Sequence, residues 1–172
     1  MGIAEYIRRV LVVGLIILTG GCSGGNGKNE PQYIERIHLQ LQADSNINPN
    51  DYSAGNPVRI IIYQLRSMGA FLFSDYSALV NQPDREVIEQ MNVFYDGVIS
   101  PGERRIVTVP VSQDILALGV VTVFQDIQRA NWKSVYSVSS NTGNHSVGER
   151  AKKEKYVLVT VRDLTTTLEP LE

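Results

Sequence analysis

The sequence predicts a mainly β protein: a β-sandwich of seven or eight strands with one short helical insertion. Three observations carry this. Alternating or β-branched apolar runs recur along the chain, each bounded by Gly, Pro, Asn, Asp or Ser. Only one stretch spaces its apolar residues for a helix. Of the 172 residues, 43% are hydrophobic and 20% charged, which suits one globular core and excludes wholesale disorder.

Composition also removes several function classes. Sixteen basic residues against eighteen acidic ones give a net charge of −2, with no electrostatic footprint for nucleic acid. One cysteine can form neither an internal disulfide nor a thiolate zinc site. The two histidines, His38 and His145, exclude a His-rich metal site.

The N-terminus carries the most specific signal. Arg8 and Arg9 precede a nine-residue apolar core, residues 10–18 (VLVVGLIIL). A membrane-spanning helix needs about 20 apolar residues, so this run fits the h-region of a secretory signal peptide. Leu18-Thr19-Gly20-Gly21-Cys22 follows and resembles a bacterial lipobox, although Thr19 stands where leucine is preferred. The alternative is a plain secretory signal with an incidental cysteine. The resemblance implies cleavage before Cys22 and a diacylglycerol and an N-acyl chain on that residue, with no other cofactor. Taking 21 residues from 172 leaves 151, and losing Glu5, Arg8 and Arg9 makes the net charge −3. Each buried acyl methylene contributes about 0.8 kcal/mol, so several chains anchor firmly. In Gram-negative lipoproteins an aspartate after the cysteine typically signals inner-membrane retention, so with Ser23 there the same resemblance implies an outer-membrane protein facing the periplasm. The domains are then a signal peptide (1–21), the lipidated cysteine with a flexible tether (22–30), and a periplasmic β-sandwich (31–172).

Along the mature chain, residues 34–43 alternate, with Ile37, Leu39, Leu41 and Ala43 on one face: a strand with one side buried. Residues 44–57 (DSNINPNDYSAGNP) form a long loop of turn formers. Residues 58–65 (VRIIIYQL) read as a strand covered on both sides. Residues 71–80 place Phe73, Tyr76 and Val80 at helical spacing. Asp84 can cap a second short helix with Val87, Ile88 and Met91 on one face. Ser100-Pro101-Gly102-Glu103 reads as a type II turn, because Pro fixes the first central residue and Gly permits φ > 0 at the next. It leads into a strand at 104–109. Further strands follow at 118–125, 133–138 and 156–162, with a polar loop at 139–153.

Little catalytic chemistry is visible. Asp44, Asn46 and Asn48 mimic the first calcium-loop positions, but Pro49 stands where glycine is required and Gly55 where a bidentate glutamate is required. His38 lies on the polar strand face with no carboxylate at readable spacing and reads as solvated; so does His145. No nucleophile elbow or phosphate loop occurs. Glu86 and Glu89 read as solvated helix carboxylates. Arg150, Lys152, Lys153 and Lys155 interleave with Glu149 and Glu154 as a solvated loop, with a lipid-headgroup contact the weaker reading. Trp132 reads as core packing.

The order of segments resembles the type VI secretion system outer-membrane lipoproteins, the TssJ family, also called SciN or VasD. The resemblance rests on the lipobox Cys22, the Asn48-Pro49 loop before Pro57-Val58-Arg59, and the strand 58–65, close to the family's V-R-I-Y-Q-L. It continues through residues 71–79, where Ser74-Asp75-Tyr76 replaces Ala-Asp-Phe, and the Pro101-Gly102 turn. The block Leu118-Gly119-Val120-Val121 through Phe124 to Trp132-Lys133 completes it, with Gln125 and Lys133 where arginine is usual. The last forty residues match only as strand and loop. The resemblance implies a transthyretin-like β-sandwich with a structural, non-enzymatic role. Such a protein anchors the trans-envelope complex by holding the periplasmic part of TssM, and through it the inner-membrane protein TssL. No small-molecule substrate is implied. In the family the contact uses the loop between the first two strands. Carried over, that loop is 46–56, with Asn46, Asn48, Pro49, Asn50, Asp51 and Tyr52 as contact residues. Tyr52 is the best anchor, because interface energy concentrates on buried tyrosines. Two rival readings stand beside this: a lipid-anchored periplasmic binding module for a small ligand or glycan, which needs an apolar or aromatic pocket, and an envelope hydrolase.

Overall fold

The computed structural model describes residues 33–50, 52, 54–81, 89–138 and 153–171. All belong to one compact unit, Pro31–Glu172. The expected signal segment, Cys22, the tether, Asp51, the cap Asp84 with Glu86, Val87 and Ile88, and the stretch holding His145, Glu149, Arg150 and Lys152 lie outside the described residues.

Among the described residues, eight strands and two complete short helices follow in order, with Glu89 and Gln90 also helical just before β3: β1 (Tyr33–Ala43), β2 (Val58–Leu65), α1 (Met68–Phe73), α2 (Tyr76–Val80), β3 (Met91–Ile99), β4 (Arg104–Ser112), β5 (Ala117–Val123), β6 (Lys133–Ser137), β7 (Lys153–Arg162) and β8 (Thr165–Leu171). They form two four-stranded sheets, β4-β1-β7-β8 and β3-β2-β5-β6. Pairing is antiparallel except between β1 and β7, which run parallel with Leu39 opposite Val157.

Alternation in β1 sends Ile37, Leu39, Leu41 and Ala43 inward, as the sequence predicts. They meet Val107 and Val109 of β4, Val157 and Val159 of β7, and Ile60, Ile62, Leu118 and Val120 of the facing sheet. Inside this apolar layer the Thr122 and Thr166 hydroxyls bond to each other at 2.7 Å, joining β5 to β8 across the sheets. Each satisfies the other, so neither leaves an unpaired buried dipole.

β2 is apolar on both faces, and both are covered. Ile60 and Ile62 point into the sandwich. Ile61, Tyr63 and Leu65 point outward beneath Phe71 of α1 and Leu79 of α2. Gly119 makes this cover possible. A Cβ there would stand 2.7 Å from Phe71 ring atoms, so only glycine leaves the pit that the ring fills. Tyr63 donates its hydroxyl to Leu79 O. Ser67 caps α1 by accepting from Ala70 N at 3.2 Å, and Asp75 caps α2 by accepting from Ala78 N at 2.8 Å. A six-residue helix leaves its last carbonyls unpaired. Lys133 Nζ of β6 donates to three in this region, Phe71 O at 3.3 Å, Leu72 O at 2.7 Å and Ser74 O at 2.9 Å. Burial in this position lowers the lysine's pKa.

The structure corrects several expectations. Helical spacing over 71–80 assumed one continuous helix, but α1 stops at Phe73 and Asp75 restarts the chain. Phe71 and Leu79 therefore carry the burial, and Phe73 is 93% exposed. Met91 opens β3 instead of lying on a helix. Neither β3 nor β8 was anticipated: both are edge strands with mixed exposure, so neither alternates cleanly. The 100–103 turn has its expected geometry, with Gly102 at φ 75 and Glu103 N bonded to Ser100 O at 3.0 Å, but it carries the chain from one sheet to the other.

Replacing Phe71 by alanine should cost about 3–5 kcal/mol, the range for emptying a buried aromatic site. Gly119→Ala should also destabilise by displacing the same ring. Urea unfolding of the two single variants and the double variant checks this. The double variant should fall short of the additive loss, because the second Cβ enters space the first change vacates.

Candidate partner-binding site

Loop 44–57 is built on two buried residues. Ile47, its only branched aliphatic residue, is fully buried in the sandwich core. Asn48 is 2% exposed and sits at φ 48, a left-handed conformation that asparagine tolerates better than most residues. Its side-chain oxygen accepts from Gln125 N at 2.8 Å, and its amide donates to Pro57 O at 3.3 Å. Asn48 N donates to Asp163 O at 2.7 Å. One residue thus ties its own loop to the loop after β5 and to the β7–β8 turn.

The rest of the loop is shaped by further asparagines. Asn50 Oδ1 accepts from Tyr52 N and Ala54 N, and Asn56 Nδ2 donates to Asn48 O and Ala54 O. These are the side-chain mimics of backbone turns that Asn supplies. Gly55 is required by close approach, because a Cβ there would overlap Ser45 O. Asn46 donates to Asp163 Oδ1 at 3.0 Å, Arg162 Nε reaches Asp44 Oδ2 at 2.6 Å, and Gly102 N donates to Asp44 O at 3.1 Å. Four connections therefore converge on one end of the sandwich, with Tyr52 projecting from them at 91% exposure. Nearby, the Arg59 guanidinium holds Asp96 through two bonds, of 2.8 and 2.7 Å. The hydrogen bond from Arg59, more than any other cause, keeps the Asp96 carboxyl below its ordinary pKa.

The expected contact residues therefore divide. Tyr52 is free to meet a partner, and Pro49 and Asn50 are partly exposed. Asn46 is exposed with its amide engaged by Asp163. Asn48 is buried and shapes the loop instead of offering a surface, which corrects its expected role as a contact residue. Asp51 lies outside the described residues. Sequence reasoning missed Ile47, Gln125 and Asp163. Only Ile47 carried a local signal, as a lone branched aliphatic among turn formers.

Elsewhere, two readings change. His38 is not solvated: its ring stacks on Tyr156 at 4.7 Å, Nδ1 lies 3.0 Å from Thr108 Oγ1, and Nε2 is 3.8 Å from Glu154 Oε2. Lys155 is not in a loop but in β7, its Nζ 2.8 Å from Glu35 Oε1. Trp132 packs as expected, against both core clusters and edge-on to Tyr76 at 5.3 Å. Among the described residues no group of three or more His, Cys, Asp or Glu could hold a metal ion. A depression on the β7–β8 hairpin, about 460 Å³, is lined by Thr160, Arg162, Asp163, Thr165, Thr167 and Glu169, with no aromatic side chain.

The family model described as type VI secretion lipoprotein (VasD, EvfM, TssJ, VC_A0113) matches residues 35–163. The chain belongs to this family. The match runs from β1 through the β7–β8 turn, and so spans every connection that meets at the loop end. Solved structures share the fold. The type VI lipoprotein TssJ1 of Pseudomonas aeruginosa is similar at TM-score 0.69 and 22% identity, over 80% of this chain and 97% of that one. Lip of Serratia marcescens, a membrane-bound component of the type VI secretion system, is similar at TM-score 0.64 and 18% identity, over 80% and 98%. A chain in a structure described as the C-terminal domain of the type VI protein TssM from EAEC is similar at TM-score 0.59 and 23% identity, over 77% and 99%. No curated protein shows a sequence match.

Asn48→Ala should lower stability by about 1–3 kcal/mol, because the Gln125 amide and Pro57 carbonyl lose their buried partner. Gly55→Ala should destabilise comparably through its clash with Ser45. Melting curves measure both. A melting temperature unchanged in Asn48→Ala would contradict the keystone role of this side chain.

Proposed function

We propose that the protein is a lipid-anchored structural component of a type VI secretion system. It holds the periplasmic part of TssM at the loop end of the sandwich, and catalyses nothing. Through TssM the contact extends to TssL in the inner membrane. The anchor is the acylated Cys22 at the outer membrane, followed by the 22–30 tether.

One observation carries the reading. The chain enters the sandwich at the start of β1 and leaves that strand at loop 44–57. An eleven-residue strand spans about 35 Å, so the entry point and the loop cluster lie at opposite ends of the domain. A domain tethered at one end and bearing a braced, projecting loop at the other suits a bridge between a membrane and a partner. Loops carry such contacts when a rigid scaffold fixes them, and here Ile47 and Asn48 do the fixing. Membership of the lipoprotein family and the likeness to a chain in the TssM structure support the same reading. Pro49, Asn50, Asp51 and Tyr52 form the contact tip, with Asn46 at its margin.

Tyr52→Ala should weaken TssM binding at least tenfold with the melting temperature unchanged, since Tyr52 touches solvent and not the core. Calorimetric titration against the TssM periplasmic region decides; wild-type affinity would move the contact elsewhere. Cys22→Ser should leave a folded protein free in the periplasm, and Ser23→Asp should redirect it to the inner membrane. Fractionation of both variants with outer membranes would defeat the anchoring and sorting arguments.

A further inference from the structure

Among the described residues the two four-stranded sheets end in four edge strands, β4, β8, β3 and β6, and Asn131 already bridges the start of β8 at Thr165. Soluble proteins blunt such edges, because unpaired backbone groups recruit other strands. β4 carries Pro110, Arg104 and Arg105, and β8 carries Pro170 beside Glu169. β6 has only five residues and includes Lys133. β3 is different. It has nine residues with no proline and no basic side chain, and its one acid, Asp96, is neutralised by Arg59. Val93, Phe94 and Val98 are exposed on it.

The edge has one interruption. The register of β3 against β2 shifts at Phe94, where Ile62 pairs with Tyr95 and Tyr63 with Val93. A bulge there bends the strand and leaves Tyr95–Ile99 as the straight segment. Tyr95 turns inward, lies over Gly97 and reaches Arg105 of β4, closing the sandwich behind the edge. Val98 remains 54% exposed. This segment runs directly into the loop end: Ile99 pairs with Val58, where loop 44–57 re-enters β2, and Gly102 just beyond donates to Asp44 O.

We propose that residues 95–99 of β3 accept an extended strand from the same protein partner that engages the loop end, a main-chain pairing that continues the β3-β2-β5-β6 sheet. This rests on the function proposed above. The recognised segment is extended, with an apolar side chain facing Val98. A second copy of this chain fits less well. Edge pairing over nine residues, about 30 Å long and 10 Å deep, covers roughly 300 Å² per chain, against about 800 Å² per partner in a stable interface. A partner already held at the adjoining loops needs only the increment.

The experiment uses the mature chain with Cys22→Ser and the TssM periplasmic region. Val98→Lys places a charge on the edge at an exposed position and should weaken binding at least tenfold. Val93→Lys, 55% exposed on the far side of the bulge, should stay within twofold. Hydrogen exchange on the unmutated edge should show amides of 95–99 gaining protection on binding. Wild-type affinity in Val98→Lys with no protection gained, while Tyr52→Ala still weakens binding, overturns the edge pairing and leaves the loop contact standing. No binding of TssM by the parent chain overturns both. Self-association abolished by Val98→Lys overturns the choice of occupant.

Discussion

Six of the eight residues of β2 are buried, and a strand apolar on both faces must be covered on both. That demand organises the rest. One face is met by the β4-β1-β7-β8 sheet. Among the described residues the other meets no third sheet, and a short helical insertion takes its place. Short helices have little stability of their own, so they are fixed by docking: Phe71 in the pit left by Gly119, Tyr63 bonded to Leu79 O, and Lys133 on the last carbonyls of α1. Among the described residues the sandwich is therefore asymmetric, with helices covering the face over β2 and β5 and none over β1 and β7.

The outer face of the β4-β1-β7-β8 sheet is organised by contacts between neighbouring strands. His38 is held there between Thr108 of β4 and Tyr156 of β7, whereas Glu35 and Lys155, which share the parity of Ile37 and Val157, pair on the inward side of the sheet near the start of β1. Cross-strand contacts of this kind add modest stability and hold register.

The loop end shows how a sandwich builds a recognition platform from weak parts. Residues 44–57 have few apolar side chains, and a loop so polar cannot define its own shape by burial alone. Two residues supply what is missing: Ile47 enters the core, and Asn48 brings hydrogen bonds from two other connections to one point. Tyr52 is left projecting on a braced support. A projecting side chain whose base is already ordered loses less conformational entropy on binding than one on a slack loop.

What the sequence determined was everything with a local period. The alternation of Ile37, Leu39 and Leu41, the unbroken run of β2, the apolar β5 and the Pro101-Gly102 turn were legible because each pattern fits within one element. The loop was legible as a loop. Tertiary structure alone decided the remainder: that Phe71 and not Phe73 is buried, that β3 and β8 are edge strands of the two sheets, and that Asn48 is a keystone. The reason is sequence distance. Asn48 finds Gln125 77 residues away, Asn46 finds Asp163 117 away, and His38 finds Thr108 70 away. No window along the chain contains both partners, so their meeting is set only when the two sheets stack and bring those ends together.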